Sequence, residues 1–221
     1  MEIEVHPSKE DAAAQGAKLI AEHVAAAIVQ RGHACIAVSG GHTPWAMLAL
    51  LGKRNLPWEK LTVFQVDERE CSLDSDDRNY KHLRENLPKK CHIEAMPVES
   101  PDSGDAAYAR RLQVLAGVPP VLDIVHLGLG PDGHTASLVP GDPVLDLTDR
   151  DVAWTEPYQG HRRMTLTYPV LDRARFVFWL VDGAAKRDAL ARLKAGDPDI
   201  PAGRVHAARQ RVIADAEAAG T

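Results

Sequence analysis

The sequence predicts an α/β protein in which a mostly parallel β-sheet carries helices on both faces, as three layers. Short apolar runs alternate with longer helical patterns along the 221 residues, as expected of parallel strands joined by crossover helices. Three apolar runs end in glycine-rich or charged turns, at Ser39–Thr43, Asp67–Arg69 and Gly128–His134. Because ligands bind beyond the carboxyl ends of parallel strands, we expect these turns to converge on one site. With no clear linker, we expect a single domain over residues 1–221.

The first half of the chain contains three predicted strands and four predicted helices. Ser8-Lys9-Glu10-Asp11 supplies an N-cap and a carboxylate three residues later, and Gly32 ends the alanine-rich helix that follows. Pro44 suits a first helical turn and opens the second helix. The polar segment from Glu70 to Asp77 is expected to be a loop. The strands are predicted at Ile3–Val5, Ala34–Val38 and Leu61–Val66, and the helices from Ser8 to about Arg31, from Pro44, over Asn79–Leu87 and over Asp105–Ala116.

The second half contains four predicted strands and one predicted helix. Two of the strands are apolar runs of buried-strand length, and a third alternates polar with apolar side chains. The proline- and glycine-rich stretch Val139–Pro143 predicts a surface excursion. The strands are predicted at Leu122–Leu127, Arg163–Thr167, Arg175–Val181 and Val212–Ala214, and the helix from about Ala184 to Lys194, after Asp182-Gly183.

Charge and composition exclude several classes of function. The formal net charge of -5 provides no basic field for nucleic acid. No apolar run approaches the roughly 18 residues of a membrane span, and the first residues lack the basic and apolar regions of a signal peptide. Cys35, Cys71 and Cys91 form no Cys-x-x-Cys pair, so neither a disulfide framework nor a zinc knuckle is predicted. We expect a cytoplasmic protein without nucleic-acid or membrane partners.

The glycine-rich turn after the strand Leu122–Leu127 carries the strongest functional signal. Its residues Gly128 to Gly133 match G-x-G-x-x-G, but the turn lies in the middle of the chain, which disfavours a dinucleotide site. A purely structural turn remains an alternative. Asp132 and His134 favour chemistry, because a histidine held in a rigid turn near a carboxylate can act as a general base close to neutral pH.

Two further segments supply groups that suit a phosphate ligand. Ser39-Gly40-Gly41-His42-Thr43-Pro44 joins a strand to a helix, and its N–H groups, hydroxyls and helix dipole favour an anion. An ordinary capped turn is the alternative. Asp67-Glu68-Arg69 places two carboxylates and a guanidinium at a strand end, where a solvated ion pair is the simpler interpretation. Arg163 and Lys186 could add the cations that a phosphate requires.

No other nucleophile or metal site is predicted. The histidines show no H-x-x-x-H or H-E-x-x-H spacing, so we assign no metal. Ser39 and Ser137 have no recognisable activating context.

Together the motifs resemble the 6-phosphogluconolactonase family, within the larger group that contains glucosamine-6-phosphate deaminase. Two positions depart from the family pattern: Arg78 replaces a usual serine, and Val139 replaces a usual phenylalanine. We expect Arg78 to add a cation at the mouth of the site or to point to solvent. The matching segments are Ser39–Pro44, Phe64–Arg69, Asp77–Tyr80, Leu127–Leu138 with Pro140-Gly141, Arg163–Thr167 and Gly183–Lys186.

The resemblance implies a Rossmann-like three-layer α/β/α fold and hydrolysis of 6-phospho-D-glucono-1,5-lactone to 6-phospho-D-gluconate without a cofactor. His134 would be the base, with Asp67 and Arg69 at the reacting end. Asp67 or Asp132 would orient the imidazole, which the sequence leaves open. The phosphate would be held by Ser39, Gly40, Gly41, His42, Thr43, Arg163 and Lys186, and the oxyanion by Arg69 or by the N–H groups of Gly128, Gly130 and Gly133.

Three rival functions follow from the same motifs. The deaminases usually carry a glutamate shortly after the turn histidine and a tyrosine where Arg69 stands, whereas Thr135–Pro140 contains no acid. A non-catalytic sugar-phosphate-binding module would not need both Asp67 and His134. A dinucleotide-dependent oxidoreductase is the least favoured. We expect the partner to be a small sugar-phosphate lactone and the chain to be a monomer or a weak homodimer.

Overall fold

The computed structural model describes residues 1–221, which form a seven-stranded parallel sheet, a small antiparallel sheet and seven α-helices. The strands are β1 Glu2–His6, β2 Ala34–Val38, β3 Leu61–Gln65, β4 Asp67–Arg69, β5 His92–Glu94, β6 Ile124–Leu127, β7 Val152–Trp154, β8 Arg163–Leu166, β9 Val177–Val181 and β10 Gln210–Asp215. The helices are α1 Lys9–Arg31, α2 His42–Gly52, α3 Asn79–Asn86, α4 Gly104–Ala116, α5 Tyr168–Asp172, α6 Arg187–Ala195 and α7 Ala216–Ala219.

The large sheet has the order β1-β10-β9-β6-β2-β3-β5, and all its pairs are parallel. Side chains on its two faces belong to two separate apolar clusters. Ile36 of β2 packs with residues of α1, α2 and α3, whereas Ala37, the next residue, packs with residues of α4, α5 and α6. The protein is therefore a three-layer α/β/α fold of the Rossmann-like kind, as the sequence predicts.

Helix α1 begins and ends where its capping residues predict. The Ser8 hydroxyl oxygen accepts a hydrogen bond from the Asp11 N–H at 3.1 Å. Gly32 adopts the left-handed conformation (φ 81°) and donates its N–H to the Ile28 carbonyl oxygen. These contacts satisfy backbone groups that the helix ends leave unpaired. No helix of the chain is long and apolar enough to cross a membrane.

The small sheet corrects the sequence-based assignment of two segments. Asp67–Arg69 is not the end of strand β3 but a separate strand, β4, which pairs antiparallel with β8, and β8 pairs with β7. The chain changes sheets at Val66, whose N–H bonds the Val38 carbonyl of the large sheet while its own carbonyl accepts from Leu166. Strand β8 therefore does not lie in the parallel sheet.

Several elements are absent from the sequence-based prediction. Strands β5 and β7 have three residues each, and helices α5 and α7 have five and four. Segments of this length show no measurable hydrophobic period, so pattern alone does not detect them. Helix α2 also begins two residues earlier than predicted, at His42, and the first residues of the helix predicted from Ala184 form a 3₁₀ turn.

Candidate active site

A polar cleft of about 160 Å³ lies beyond the carboxyl ends of β2 and β6, against the small sheet. It brings together most of the site residues that the sequence predicts in the three turns. The cations Arg163 and Lys186, which come later in the chain, line it as well. Asp132, Gly41, His42, Thr43 and Gly133 do not line it. Of these, Gly41 follows Gly40, Gly133 precedes His134, and Asp132 is hydrogen-bonded to His134. The lining residues are Ser39, Gly40, Asp67, Arg69, Asn79, Gly128, Leu129, Gly130, His134, Ala136, Arg163 and Lys186.

The imidazole of His134 is paired with Asp132. Its Nδ1 lies 2.6 Å from Asp132 Oδ1, which also accepts the His134 backbone N–H at 3.2 Å. Partial burial alone would raise the pKa of Asp132, but the charge and hydrogen bonds of His134 outweigh burial and hold this pKa below its usual value. An ionised carboxylate only accepts hydrogen bonds, so we assign the proton to Nδ1, which leaves Nε2 as the basic nitrogen.

The glycines of this turn make room for the pair. A Cβ on Gly130 would lie 2.1 Å from His134 Nδ1 and 2.6 Å from Asp132 Oδ1. Gly133 has a φ of 82°, and a Cβ there would lie 2.5 Å from the Ile200 side chain. Both positions therefore exclude a side chain, one because the imidazole occupies the space and the other because of backbone conformation and packing as well.

The turn offers fewer free N–H groups than the sequence predicts. Gly130 donates its N–H to the His134 carbonyl at 2.8 Å, and Gly133 donates to the Gly130 carbonyl at 3.0 Å. These internal hydrogen bonds shape the turn, so neither amide is open to an oxyanion. The N–H groups of Gly128 and Leu129 donate to no other residue. The expectation of three glycine donors is thus corrected to Gly128, with Leu129 as its neighbour.

The loop between β2 and α2 forms the opposite wall of the cleft. Ser39 is held in place by His126 of β6. The Ser39 N–H donates to Nδ1 of buried His126 at 3.3 Å, and the Ser39 hydroxyl donates to the His126 carbonyl at 3.2 Å. Gly40 lies against Asn79, and a Cβ there would lie 2.0 Å from Asn79 Oδ1. The N–H groups of Gly40 and Gly41 donate to no other residue and precede the first turn of α2. Free amides before a helix suit an anion.

Asp67 is held by neutral donors rather than by the imidazole. Its Oδ2 accepts a hydrogen bond from the Ser137 hydroxyl at 2.6 Å, and Asn79 Nδ2 donates to its carbonyl oxygen at 2.9 Å. All three side chains are buried. The alternative that the sequence left open is therefore decided by geometry, because Asp132 is the carboxylate that bonds the imidazole.

Three cationic side chains, Arg69, Arg163 and Lys186, line the cleft. Arg163 is buried, and its Nε has no hydrogen-bond partner in the chain. Burial lowers the pKa of Arg163 and of Lys186, since neither cation is fully compensated by nearby carboxylates. Arg69 is anchored by its Nη1, which donates to the Asp77 carbonyl at 2.8 Å. A buried, unpaired arginine nitrogen indicates that this cleft takes an anion.

Arg78 differs from both sequence-based expectations, because it neither reaches the mouth of the site nor points to solvent. It is completely buried, with Nε 3.5 Å from Glu68 and Nη2 3.0 Å from Glu99. Glu68 in turn accepts the backbone N–H groups of Asn79 and Tyr80, which begin α3. The Arg78 cation thus neutralises Glu68, the carboxylate that bonds the first residues of α3, including the cleft residue Asn79.

Sequence reasoning missed two groups of the site. Asn79 belongs to the segment Asp77–Tyr80, but the sequence alone assigns it no role, although it lines the cleft and its buried Oδ1 has no partner. Tyr158 lies in no motif, and only the structure places its hydroxyl 3.2 Å from Asp132 Oδ2. No group of three or more histidine, cysteine or acidic side chains is arranged to hold a metal ion.

Comparison with known proteins agrees with this geometry. The family model described as glucosamine-6-phosphate isomerases/6-phosphogluconolactonase matches residues 7–214. The 6-phosphogluconolactonase of Synechocystis sp. is 38% identical over 81% of this chain and 79% of its own length. That of Mycobacterium tuberculosis is 37% identical over 90% of this chain and 89% of its own.

Solved structures give the same result at the level of the fold. The 6-phosphogluconolactonase of Trypanosoma brucei superposes with a TM-score of 0.87 at 28% identity, covering 99% of this chain and 97% of its own. A monomeric glucosamine-6-phosphate deaminase superposes with a TM-score of 0.80 at 19% identity, covering 100% and 99%. At that identity the deaminase shows a shared fold and nothing more.

Proposed function

This chain belongs to the glucosamine-6-phosphate isomerase/6-phosphogluconolactonase family, and on that premise we propose that its cleft hydrolyses 6-phospho-D-glucono-1,5-lactone to 6-phospho-D-gluconate, the second step of the oxidative pentose phosphate pathway. One observation carries the proposal beyond family membership. The cleft holds a carboxylate-paired imidazole, His134, together with Arg163 and Lys186, which suit a phosphate. Such a site matches a substrate with an activated ester and a phosphate.

His134 acts as the general base in this proposal. A δ-lactone is an activated ester, so water suffices as the nucleophile and no covalent intermediate is required. Nε2 of His134 removes a proton from water as its oxygen attacks the lactone carbonyl. Asp132 keeps Nδ1 protonated and stabilises the imidazolium that forms.

The oxyanion is stabilised by the Gly128 and Leu129 N–H groups, with Arg69 as a charged donor. The two amides have no other partner, and Arg69 lines the same cleft. A fixed donor of this kind commonly contributes about 3–4 kcal/mol to the transition state. When the intermediate collapses, the bond between the carbonyl carbon and the ring oxygen breaks. The proton on Nε2 then passes to that oxygen, which leaves the base ready for another turnover.

The phosphate binds between the Ser39–Gly41 loop and the two cations Arg163 and Lys186. This anchoring brings the carbonyl to the base, which replaces a bimolecular encounter by an oriented one. Asp67, fixed by Ser137 and Asn79, faces the same cleft and offers an acceptor for a substrate hydroxyl.

The proposal extends to the cellular location, the oligomeric state and the domain organisation of the protein. We place it in the cytoplasm as a monomer or weak homodimer, with residues 1–221 acting as one domain. Cys35, Cys71 and Cys91 are all free, which suits a reducing compartment. The large exposed apolar side chains are spread over different elements, with Val29 on α1 and Val114 on α4. Light scattering of the purified protein would measure the oligomeric state.

The test of the function is lactone hydrolysis by purified protein. Freshly prepared 6-phosphogluconolactone is added, and the product is followed with 6-phosphogluconate dehydrogenase against the spontaneous reaction. We expect acceleration that falls about 10²–10⁴-fold in His134→Ala, the usual contribution of a general base. Binding of 6-phosphogluconate should survive, because Arg163 and Lys186 are untouched.

His33→Ala is the matched control. This histidine is exposed and precedes β2, at the other end of that strand from Ser39. Undiminished kcat in His134→Ala would remove the base assignment. A folded wild-type protein with no acceleration would reject the lactonase proposal, and glucosamine 6-phosphate deamination would then be measured.

A further inference from the structure

Tyr158 lies in the turn that connects β7 to β8. The turn is closed by hydrogen bonds between the backbones of Tyr158 and His161, at 2.9 and 3.3 Å. Its central residues, Gln159 and Gly160, have φ angles of 50° and 85°. Two successive residues with positive φ are typical of the tight two-residue turn that closes a β-hairpin, so the backbone of this turn has a defined conformation.

The Tyr158 hydroxyl extends the catalytic hydrogen-bond chain by one member. It donates to Asp132 Oδ2 at 3.2 Å, while His134 binds the other oxygen of the same carboxylate. The Tyr158 ring also meets the His134 imidazole edge to face, with centroids 5.6 Å apart. Burial and the nearby Asp132 raise the pKa of Tyr158, so the hydroxyl remains a donor at neutral pH. Tyr158 therefore holds Asp132 through the carboxylate oxygen that the His134 ring does not bind.

The same tyrosine contacts the proposed phosphate ligand Arg163. The Arg163 guanidinium carbon lies 5.2 Å from the centre of the Tyr158 ring, in a cation–π arrangement. Arg163 Nη2 also lies 3.5 Å from Gln159 Oε1, and Gln159 Nε2 donates to the Tyr158 hydroxyl at 3.2 Å. The same turn thus contacts both parts of the proposed site. The Tyr158 ring and Gln159 contact Arg163, the proposed phosphate ligand, and the Tyr158 hydroxyl bonds Asp132, the partner of the base.

We propose that Tyr158 is a positioning residue that couples phosphate binding at Arg163 to the orientation of the Asp132–His134 pair. The inference rests on the proposed function. A phosphate that immobilises Arg163 immobilises the ring stacked on it, and hence the hydroxyl on Asp132. The free energy of phosphate binding is then expressed partly in kcat rather than only in KM, as when a non-reacting part of a substrate orders the reacting centre.

The discriminating readout is the kcat for the phosphorylated lactone divided by the kcat for glucono-1,5-lactone, which lacks the phosphate. In Tyr158→Phe we expect this ratio to fall at least about fivefold, the lower end of typical coupling between two sites. Phenylalanine keeps the ring on Arg163 and removes only the hydroxyl. Tyr80→Phe is the matched control, because the Tyr80 hydroxyl makes no hydrogen bond within the chain, and its ratio should not change.

A parallel fall of both rates in Tyr158→Phe would overturn the coupling, since the hydroxyl would then support Asp132 whether or not a phosphate is bound. Unchanged rates with both substrates would overturn it equally. Inorganic phosphite, a dianion that stands in for the missing phosphate group, can be added in trans. It should activate hydrolysis of glucono-1,5-lactone by the wild type and activate Tyr158→Phe at least about fivefold less.

A measurement without turnover separates this inference from the proposed function. Imidazole ¹⁵N signals of His134 are followed by NMR as inorganic phosphate is titrated into wild type and into Tyr158→Phe. Direct effects of the anion are common to both proteins, so a shift that is at least halved in the variant, at equal saturation, supports coupling. Equal shifts overturn it. Failure of lactone hydrolysis in the wild type would reject the function, and the NMR comparison would still decide the coupling.

Discussion

At the residue scale, His126 shows how a buried neutral imidazole fixes the wall of the cleft. Its Nδ1 accepts the Ser39 N–H, so that nitrogen carries no proton and the ring is neutral with its proton on Nε2. Complete burial lowers the pKa of His126 from 6.5 to about 3. The ring packs against Phe178 of β9, with centroids 4.9 Å apart, and Nε2 has no partner. Protonation would thus cost both a buried charge and the bond to Ser39.

This pKa predicts a specific loss of stability in acid. Below pH 6.5 the unfolded chain binds a proton at His126 that the folded chain does not bind, so the free energy of unfolding falls as pH drops. The contribution is complete above pH 6.5 and is reduced by about 2 kcal/mol at pH 5. Urea unfolding at pH 8 and pH 5 should show this increment in the wild type and not in His126→Asn, with His33→Asn as the exposed control.

Equal pH dependence in the wild type and His126→Asn would contradict the assignment. If the variant does not fold, the ¹⁵N spectrum of the wild type at pH 5 gives the same information. There the His126 ring must remain neutral.

At the element scale, the first turn of helix α3 is capped by a side chain of strand β4. Its N-cap residue, Arg78, makes no side-chain capping bond. Instead Glu68 of β4 accepts the N–H groups of Asn79 and Tyr80, at 2.9 and 2.8 Å, and a carboxylate at a helix N-terminus is favourable. Arg78 returns beneath this carboxylate as its buried counter-charge. The loop between β4 and α3 is therefore closed at both ends, which places Asn79 in the cleft.

Removing that counter-charge should destabilise the protein strongly. Arg78→Met keeps much of the side-chain volume but leaves buried Glu68 without its counter-charge, which typically costs about 3–5 kcal/mol. Arg84→Met, an exposed position on the same helix, should cost far less. The free energy of unfolding in urea measures both. A loss below about 1 kcal/mol in Arg78→Met would contradict the role of the pair, and adding Glu68→Gln should recover part of a larger loss.

The same elements show what sequence reasoning can reach. Both ends of helix α1 can be predicted from the sequence because Ser8 and Gly32 bond their own backbone neighbours. The sequence pattern places the three-residue strand β4 in the wrong sheet, because its pairing with β8 depends on residues almost a hundred positions away. Within the site, local motifs supplied His134 and its neighbours. The role of Tyr158 depends on where its turn packs against Asp132, and no local pattern in the sequence predicts that packing.

At the scale of the whole molecule, the cleft exists only where two sheets meet. Ser39 follows β2 and Gly128 follows β6 of the parallel sheet, whereas Asp67 and Arg163 begin β4 and β8 of the antiparallel one. Lys186 comes from the connection after β9. These residues are distant along the chain, so the unfolded state cannot reproduce the site, and a ligand bound there stabilises the folded state alone.

The product should therefore raise the thermal stability of the entire protein. At about 100 times its dissociation constant, 6-phosphogluconate is expected to add about 2.7 kcal/mol, which raises Tm by about 5–10 °C for a chain of this length. Differential scanning calorimetry measures the shift. Gluconate at the same concentration should give a smaller one, because it lacks the phosphate. A Tm independent of 6-phosphogluconate would show that the product does not bind.

The position of β1 has a consequence for biosynthesis. This strand lies at the edge of the parallel sheet, and its one neighbour there is β10. A ribosome synthesises residues 2–6 long before residues 210–215, so β1 emerges well ahead of the strand that it pairs with. The intervening chain can form α1 and the central strands while β1 still has no strand to pair with. The large sheet is therefore complete only after β10 has been synthesised, and a ribosome stalled before β10 would display β1 without its neighbour.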